Sequence, residues 1–211
     1  KEEDLTKPQI LIESTYGLSH PGSAHLLGLA QKAQAGADSA GGKAALYFAT
    51  DICDGMAQGH DGINYSLPSR EVIADSAEIL ARAHAFSGVV FVGNCDKIIP
   101  GMLMAAVRLD LPCAFVSGGP MLAGRMHGKR LSLSSMFEAV GAYTSGKIDE
   151  EELARYECAA CPSCGACSGM FTANSMNRLL EALGMALPGN GTIPAVHSAR
   201  ISLAKRTGEA V

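Results

Sequence analysis

The chain alternates short apolar runs with longer segments whose apolar residues recur every three or four positions. The short runs are typical of strands buried on both faces of a sheet, whereas the longer spacing is typical of amphipathic helices. Strands are predicted over residues 9–13, 45–49, 89–92 and 113–116. Helices are predicted over residues 23–35, 69–86, 101–109, 133–145, 150–157, 172–187 and 197–205.

This order of elements predicts an α/β fold in which helices cover both faces of a mainly parallel sheet, a three-layer α/β/α arrangement. We expect residues 1–211 to form a single domain of this kind. Polar segments follow three of the predicted strands, at residues 50–64, 93–100 and 118–124. Because ligands of open parallel sheets bind beyond the carboxyl ends of the strands, these segments are expected to share one crevice.

Composition narrows the class of protein. Hydrophobic residues make up 47% of the 211 residues and charged residues 18%, which excludes a disordered chain. The net charge is −4 and Lys/Arg-rich runs are lacking, so nucleic acid is an unexpected partner. The apolar runs are too short to span a membrane, and the charged N-terminal residues do not resemble a signal peptide. We therefore expect a cytoplasmic protein, and the non-Met first residue suggests a fragment or a processed product.

Two Cys-Asp pairs follow predicted strands. Cys53 is followed by Asp54, and Cys95 is followed by Asp96. Thiolates suit iron and carboxylates suit a hard cation such as Mg²⁺, so the pairs are able to hold a soft and a hard metal centre side by side. One pair alone would be better explained by a core cysteine and a helix-capping aspartate. Two pairs at matching positions favour metal binding.

A second set of thiols, called here the cysteine run, comprises Cys158, Cys161, Cys164 and Cys167. The regular spacing resembles the cysteine patterns that hold four-iron clusters in ferredoxins, whereas zinc motifs usually separate their cysteine pairs more widely. Two ligand sets remain open. All four cysteines of the run would give a closed cluster. Cys53 and Cys95 with one cysteine of the run would leave one iron open to act as a Lewis acid.

Longer motifs resemble the dihydroxy-acid dehydratase and 6-phosphogluconate dehydratase family. The resemblance runs nearly end to end and is carried by residues 53–55 (CDG), 66–74 (SLPSREVIA), 93–97 (GNCDK), 137–143 (FEAVGAY), 165–167 (GAC), 172–174 (TAN) and 183–189 (LGMALPG). It implies an α/β iron–sulfur and magnesium-binding N-terminal domain that works with a separate, β-rich C-terminal domain. The C-terminal domain is not expected within these residues, so the chain resembles the N-terminal portion of a larger subunit or one chain of a split enzyme.

The resemblance also implies the cluster ligands. Cys95 and Cys167 match two of them. The third usually lies in a Pro-Cys-x-x-His-Leu segment of dihydroxy-acid dehydratases, but residues 21–26 are PGSAHL here and lack the cysteine. In the 6-phosphogluconate branch the third ligand lies in a Cys-Asp-Gly motif, which matches Cys53. This departure favours a [4Fe-4S] cluster over a [2Fe-2S] cluster.

Other site residues follow from the same resemblance. Asp54 and Asp96 are implied as Mg²⁺ ligands, and Lys97 as a catalytic lysine that can be carbamylated to supply a further oxygen ligand. Candidates for substrate contacts or for structural hydrogen bonds near the ligands are His25, His60 and Asn174.

The implied reaction removes water from a 2,3-dihydroxy carboxylic acid and yields a 2-keto acid. Dihydroxy-acid dehydratase of branched-chain amino acid biosynthesis is favoured, with a sugar-acid dehydratase as the alternative. The family's base, a serine, and a further magnesium-binding glutamate belong to the C-terminal domain, so we expect no turnover from this chain alone. We also expect a homo-oligomer. The alternatives of other classes are a ferredoxin-like electron carrier and a zinc module, both built on the cysteine run.

Overall fold

A parallel sheet forms the centre of the computed structural model, which describes residues 2–211. Its strands are β1 (Gln9–Ser14), β2 (Lys43–Phe48), β3 (Gly88–Gly93) and β4 (Cys113–Ser117). The order is β2-β1-β3-β4, and every neighbouring pair is parallel. The four predicted strands are confirmed to within two residues at each end. The chain leaves β1 toward β2 and returns to the other side of β1 for β3. The order in which strands are added to the sheet therefore reverses between β1 and β3, and ligands of such folds bind at that point.

Eight α-helices accompany the sheet within the described residues. They are α1 (Leu26–Ser39), α2 (Asp54–Ala57), α3 (Ser66–Ala83), α4 (Ile98–Leu109), α5 (Leu133–Thr144), α6 (Glu150–Ala160), α7 (Thr172–Ala182) and α8 (Ser198–Ala210). Short 3₁₀ segments cover Glu2–Thr6 and Asp61–Tyr65. Over residues 2–211, every helix is too short or too polar to cross a lipid bilayer.

Helices cover both faces of the sheet, as predicted. Side chains alternate along a strand, so Leu11 and Ile12 of β1 point to opposite faces. Leu11 packs in a cluster with residues of α3 and α4, and this cluster contains the stacked rings of Phe91 and Phe115, whose centroids are 4.8 Å apart. Ile12 packs in a second cluster, with residues of α1 and α8. The three-layer α/β/α architecture is therefore confirmed.

The helix predicted over residues 172–187 is wrong at its C-terminal end. α7 ends at Ala182, and Gly184 adopts a left-handed conformation with φ of 73°. Glycine reaches that conformation without steric cost and commonly ends helices. The next residue, Met185, then accepts a hydrogen bond from the backbone N–H of Phe115 at 2.9 Å. The apolar residues after α7 thus extend the edge of β4 instead of continuing the helix.

Other boundaries also differ from the prediction. α1 begins at Leu26 instead of residue 23, because the preceding residues form turns around the carbonyl of His20. An antiparallel hairpin was not predicted, with strands β5 (Gly124–Met126) and β6 (Lys129–Leu131). Its turn uses His127 and Gly128, both at positive φ, as a tight hairpin requires.

Candidate metal centre

A pocket of about 340 Å³ opens at the carboxyl edge of the sheet. Its lining includes five of the six predicted metal-binding residues, Cys53, Asp54, Cys95, Asp96 and Cys167. A smaller adjoining pocket of about 210 Å³ is lined by the same three cysteines and by Met121. The segments after β2 and β3 therefore meet as predicted, and the segment after β4 reaches the smaller pocket.

The first two thiols are positioned by the ends of β2 and β3. Cys53 precedes the first turn of α2, and Cys95 follows β3 by two residues. A hydrogen bond from the Cys95 thiol lowers the pKa of Cys53 to about 6, and the backbone N–H of Met56 contributes in the same direction. That hydrogen bond, together with burial, raises the pKa of Cys95. Cys53 is thus the thiolate of the pair.

Cys167 approaches from a different part of the chain, between α6 and α7. Burial raises its pKa, and the nearby Cys53 adds to the effect. The side-chain amide of Asn174 donates to the carbonyl oxygen of Cys167 at 2.7 Å and to that of Gly169 at 2.6 Å. Asn174 is 4% exposed and sits in the first turn of α7, so it fixes the loop that presents the Cys167 thiol.

The two carboxylates share a lysine. The Lys97 Nζ donates to Asp54 Oδ2 at 2.8 Å and to Asp96 Oδ2 at 2.5 Å. The Ser66 hydroxyl donates to the other oxygen of Asp54. Burial lowers the pKa of Lys97, but its hydrogen bonds with the two aspartates outweigh this effect and raise it. Lys97 is therefore an ammonium whose single positive charge is shared between the two carboxyl groups.

The aspartates differ in their electrostatics. Burial raises the pKa of Asp54, but hydrogen bonds with Asp96, Lys97 and Ser66 outweigh burial and hold it below its usual value. Burial and the neighbouring Asp54 raise the pKa of Asp96. The Oδ1 atom of Asp96 is buried and has no hydrogen-bond partner among the described residues.

These donors fit the groups that the sequence motifs imply. Three thiols facing one space suit an iron–sulfur cluster, and two adjacent carboxylates suit a hard cation. The unpartnered oxygen of Asp96 is an acceptor that such a cation would satisfy. The Lys97 ammonium now supplies the positive charge between the carboxylates, and it can become a ligand only after its nitrogen loses the proton and gains an oxygen-bearing group.

The two predicted histidines do not line the 340 Å³ pocket. The Nε2 of His25 hydrogen-bonds to the carbonyl oxygen of Gly118 at 2.9 Å, and burial lowers the pKa of the ring. His60 is exposed and caps the 3₁₀ segment by accepting a hydrogen bond from the backbone N–H of Gly62 at 3.0 Å. Their contact with substrate remains a prediction.

The four cysteines of the run do not lie together in this structure. Cys158 is exposed, Cys161 lines the smaller pocket, and Cys167 lines both pockets. Among residues 2–211, no three cysteines of the run have sulfurs within 4.8 Å of one another, the spacing that would mark a compact metal site. The zinc module on the run stays an alternative prediction.

His20 and Asp51 were not predicted as site residues. His20 Nε2 lies 2.8 Å from Asp51 Oδ2, and their side chains are 2% and 5% exposed. Burial opposes protonation of His20, but the hydrogen bond with Asp51 raises its pKa above the usual value. Both residues follow the carboxyl ends of strands, β1 and β2, so the rule that identified the Cys-Asp pairs would also have found them.

The pocket also has an apolar wall, which was not predicted. Leu133 and Phe137 of α5, together with Phe171 and Ala173, line the 340 Å³ pocket. α5 begins at Leu133 because Ser132 and Ser135 form a reciprocal capping box, and this places the first turns of the helix at the pocket. The pocket thus combines metal-ligand donors on one side with aromatic and aliphatic surface on the other.

The fold and this pocket define an α/β domain in which thiol and carboxylate donors converge at the carboxyl edge of a parallel sheet. Within that class, the chain belongs to the dihydroxy-acid/6-phosphogluconate dehydratase N-terminal family, whose model matches residues 7–211. The family predicted from the sequence motifs is therefore confirmed.

Curated relatives carry the name dihydroxy-acid dehydratase. The protein of Halothermothrix orenii is 58% identical over 210 residues, which cover 100% of this chain and 38% of the relative. The protein of Carboxydothermus hydrogenoformans is 55% identical over 210 residues, with the same coverage. The protein of Lachnoclostridium phytofermentans is 56% identical over 207 residues, which cover 98% of this chain and 37% of the relative. The chain thus spans little more than a third of the length of these relatives.

Proposed function

We propose that this chain carries the metal-binding half of the active site of a dihydroxy-acid dehydratase. The enzyme would be a hydro-lyase that converts a 2,3-dihydroxy carboxylic acid into a 2-keto acid. One observation carries the proposal: three thiols and two carboxylates, from segments far apart in the chain, line a single pocket. The name shared by the relatives supports the same reaction.

The apolar wall favours a branched-chain substrate over a sugar acid. A sugar acid presents hydroxyl groups along its whole length, and each would need a polar partner once buried. Leu133, Phe137 and Phe171 offer no hydrogen-bonding side-chain group, but they suit an alkyl substituent. This contrast supports a role in branched-chain amino acid biosynthesis, with the sugar acid as the alternative.

The residues divide into two sets. Cys53, Cys95 and Cys167 would hold an iron–sulfur cluster, favoured as [4Fe-4S]. Asp54 and Asp96 would hold Mg²⁺. Bound at these positions, the two centres would supply Lewis acidity for a departing hydroxyl and for the carbon-bound proton beside the carboxylate.

The remaining side chains orient and neutralise this site. Lys97 keeps the two carboxylates close together through its paired hydrogen bonds, and its carbamylated form would add an oxygen donor. Ser66 restrains Asp54, and Asn174 restrains the loop of Cys167. Thiolate ligands require a reducing compartment, which supports cytoplasmic location. The proton-abstracting serine and a further glutamate are assigned by family resemblance to the C-terminal domain.

Anaerobic reconstitution tests the cluster ligands. The reduced chain is incubated with ferrous iron and sulfide, and bound iron and sulfide are measured together with the visible absorption and the electron paramagnetic resonance spectrum after reduction. We expect about four irons per chain for [4Fe-4S]. Serine in place of Cys53, Cys95 or Cys167 should greatly reduce cluster content.

Cys158→Ser is the matched control, because Cys158 is an exposed cysteine of the same run. It should retain the cluster. A cluster that is lost in Cys158→Ser and Cys164→Ser but retained in Cys53→Ser would instead support the ferredoxin-like carrier. Mg²⁺ is tested separately by calorimetry, where Asp54→Asn and Asp96→Asn should each weaken binding.

A further inference from the structure

The hairpin of β5 and β6 carries three cations whose charge is not neutralised. Arg125, Lys129 and Arg130 are exposed, and among residues 2–211 their side chains form neither an ion pair nor a hydrogen bond. His127, in the turn between the strands, instead pairs with Glu152 of α6, with Nε2 and Oε1 3.1 Å apart. The hairpin therefore presents free positive charge at the surface.

The register of the hairpin places two of these cations directly opposite each other. Arg125 is the cross-strand partner of Arg130 in the antiparallel pair, so both side chains leave the same face of the ribbon. Opposite residues have Cβ atoms about 4.5–5.5 Å apart, and like charges at that spacing destabilise the pairing. A two-stranded ribbon gains little stability from its own pairing. An anion bound beside the two guanidinium groups would offset this repulsion.

A pocket next to the hairpin has the size and the donors that such an anion needs. It has a volume of about 340 Å³, lies between β6, α5 and α6, and is called here the hairpin pocket. Lys129 and Arg130 line it together with the hydroxyl-bearing residues Ser135 and Tyr156. The Ser135 oxygen accepts a hydrogen bond from the backbone N–H of Ser132 at 3.1 Å, which leaves the Ser135 proton free to donate. Two cations and two hydroxyl groups thus face one space.

The hairpin pocket is separate from the candidate metal centre. Leu133 and Phe137 of α5 line the pocket at the metal centre, whereas Ser135, Glu138 and Ala139 of the same helix line the hairpin pocket. The two pockets share no lining residue, and none of the predicted metal ligands lines the hairpin pocket. A ligand bound there therefore lies outside the proposed dehydration site.

We propose that the hairpin pocket binds a phosphate group, held by Lys129 and Arg130, with Arg125 adding positive charge from the neighbouring strand. Phosphate carries up to two negative charges and several acceptor oxygens, and it matches the planar fork of an arginine side chain. The pocket is larger than a bare phosphate, and Glu138 lines the remaining space. Because Glu138 accepts hydrogen bonds from hydroxyl groups and repels further negative charge, a small phosphate ester fits better than a polyanion. Inorganic phosphate is the other source of the same group.

Calorimetric titration of the full chain tests the site with two probes, inorganic phosphate and glycerol phosphate, at an ionic strength held constant with sodium chloride. We expect one equivalent of probe to bind. Arg130→Gln and Lys129→Gln should each weaken binding at least about 10-fold, because each removes a charge-assisted hydrogen bond. Glu138→Gln should strengthen binding, because it removes a negative charge from the lining.

Arg206→Gln is the matched control. Arg206 is an exposed cation on α8, and its side chain also has no ion pair among the described residues, so this change removes the same charge at a position outside the hairpin. Phosphate affinity should be unchanged. Thermal unfolding gives a second readout: phosphate should raise the Tm of the parent and of Arg206→Gln, but not that of Arg130→Gln. Without phosphate, Arg130→Gln should be at least as stable as the parent, because the like-charge pair is gone.

The outcomes separate the alternatives. Tighter binding of glycerol phosphate would identify an ester as the ligand, and tighter binding of inorganic phosphate would identify the free anion; both support the site. Equal phosphate affinity of the parent and folded Arg130→Gln would overturn the proposal. So would a Tm increase that sodium chloride alone reproduces, or binding of a polyglutamate peptide without binding of either phosphate probe, which would indicate an acidic protein partner.

Discussion

Glu13 makes the stability of the metal-free chain depend on pH in a calculable way. It lies on β1, is 0% exposed, and neither carboxylate oxygen has a hydrogen-bond partner among residues 2–211. Burial raises its pKa from 4.5 to about 7. The folded state thus favours the protonated acid. Below the unfolded pKa the carboxyl is neutral in both states and costs nothing, whereas above about pH 7 burying its charge costs roughly 3 kcal/mol.

Glu13→Gln should remove this pH-dependent cost, because glutamine has nearly the same shape and no charge. The variant should be more stable than the parent by roughly 3 kcal/mol near about pH 8, and by under about 1 kcal/mol near about pH 5. Urea unfolding of both proteins at the two pH values measures the difference. Glu157→Gln, at an exposed position, controls for the loss of one negative charge. A stability gain that is the same at both pH values would refute the reasoning.

Three further predictions concern packing and buried hydrogen bonds. Gly36→Ala would force a Cβ against the carbonyl of Lys205 and should lower the free energy of unfolding by more than about 2 kcal/mol. Gly28→Ala, in open space on the same helix, should be neutral or stabilising, and equal effects of the two changes would contradict the packing of α1 on α8. Arg200→Met should lower the free energy of unfolding, measured by thermal denaturation, by about 2–4 kcal/mol, because the fully buried guanidinium donates to several backbone carbonyls. A loss below about 1 kcal/mol would contradict a stabilising role for these hydrogen bonds. Asn94→Ala should lower the free energy of unfolding by about 2–3 kcal/mol, because its amide joins two loops at the pocket through hydrogen bonds of 3.0 and 3.2 Å. A variant as stable as the parent would contradict that role.

The Asn94 amide also explains how the pocket keeps its shape. It donates to the carbonyls of Gly22 and Gly119, and its oxygen accepts from Asn177 of α7 at 3.1 Å. The adjacent residue is Cys95, so the network connects a proposed cluster ligand to the loop after β1, the loop after β4 and α7. Such a network fixes the relative positions of groups that are remote in sequence.

Local sequence patterns predicted much of the fold. Runs such as residues 89–92 are apolar at every position, and only a strand covered on both faces buries all of them, so the parallel sheet and its two helical layers were predictable. The boundaries were less predictable. The last turn predicted for α7 does not form, because the residues after Gly184 gain a backbone hydrogen bond with β4. That partner is remote in sequence, so the local pattern of residues does not indicate it.

For the candidate site, residue spacing predicted which residue types would be involved, and the family resemblance predicted which of them would meet. Sequence spacing alone favoured a closed cluster on the cysteine run, whereas the paired Cys-Asp motifs favoured a cluster shared with Cys53 and Cys95. The family resemblance then favoured Cys53 as the third ligand. In the structure Cys53 and Cys95 share one pocket with Cys167, while Cys158 is exposed.

The sequence by itself determined the α/β class, the four strands and the family, because periodicity and short motifs depend on residues close together in the chain. The tertiary structure decided that Lys97 bridges two carboxylates and that His20 lies beside two thiols, and it placed Cys167, which the family resemblance implied, in one pocket with the Cys-Asp pairs. These distances depend on the strand order β2-β1-β3-β4, which is set by how whole layers pack. Packing sums contributions from distant residues, so no local pattern encodes it.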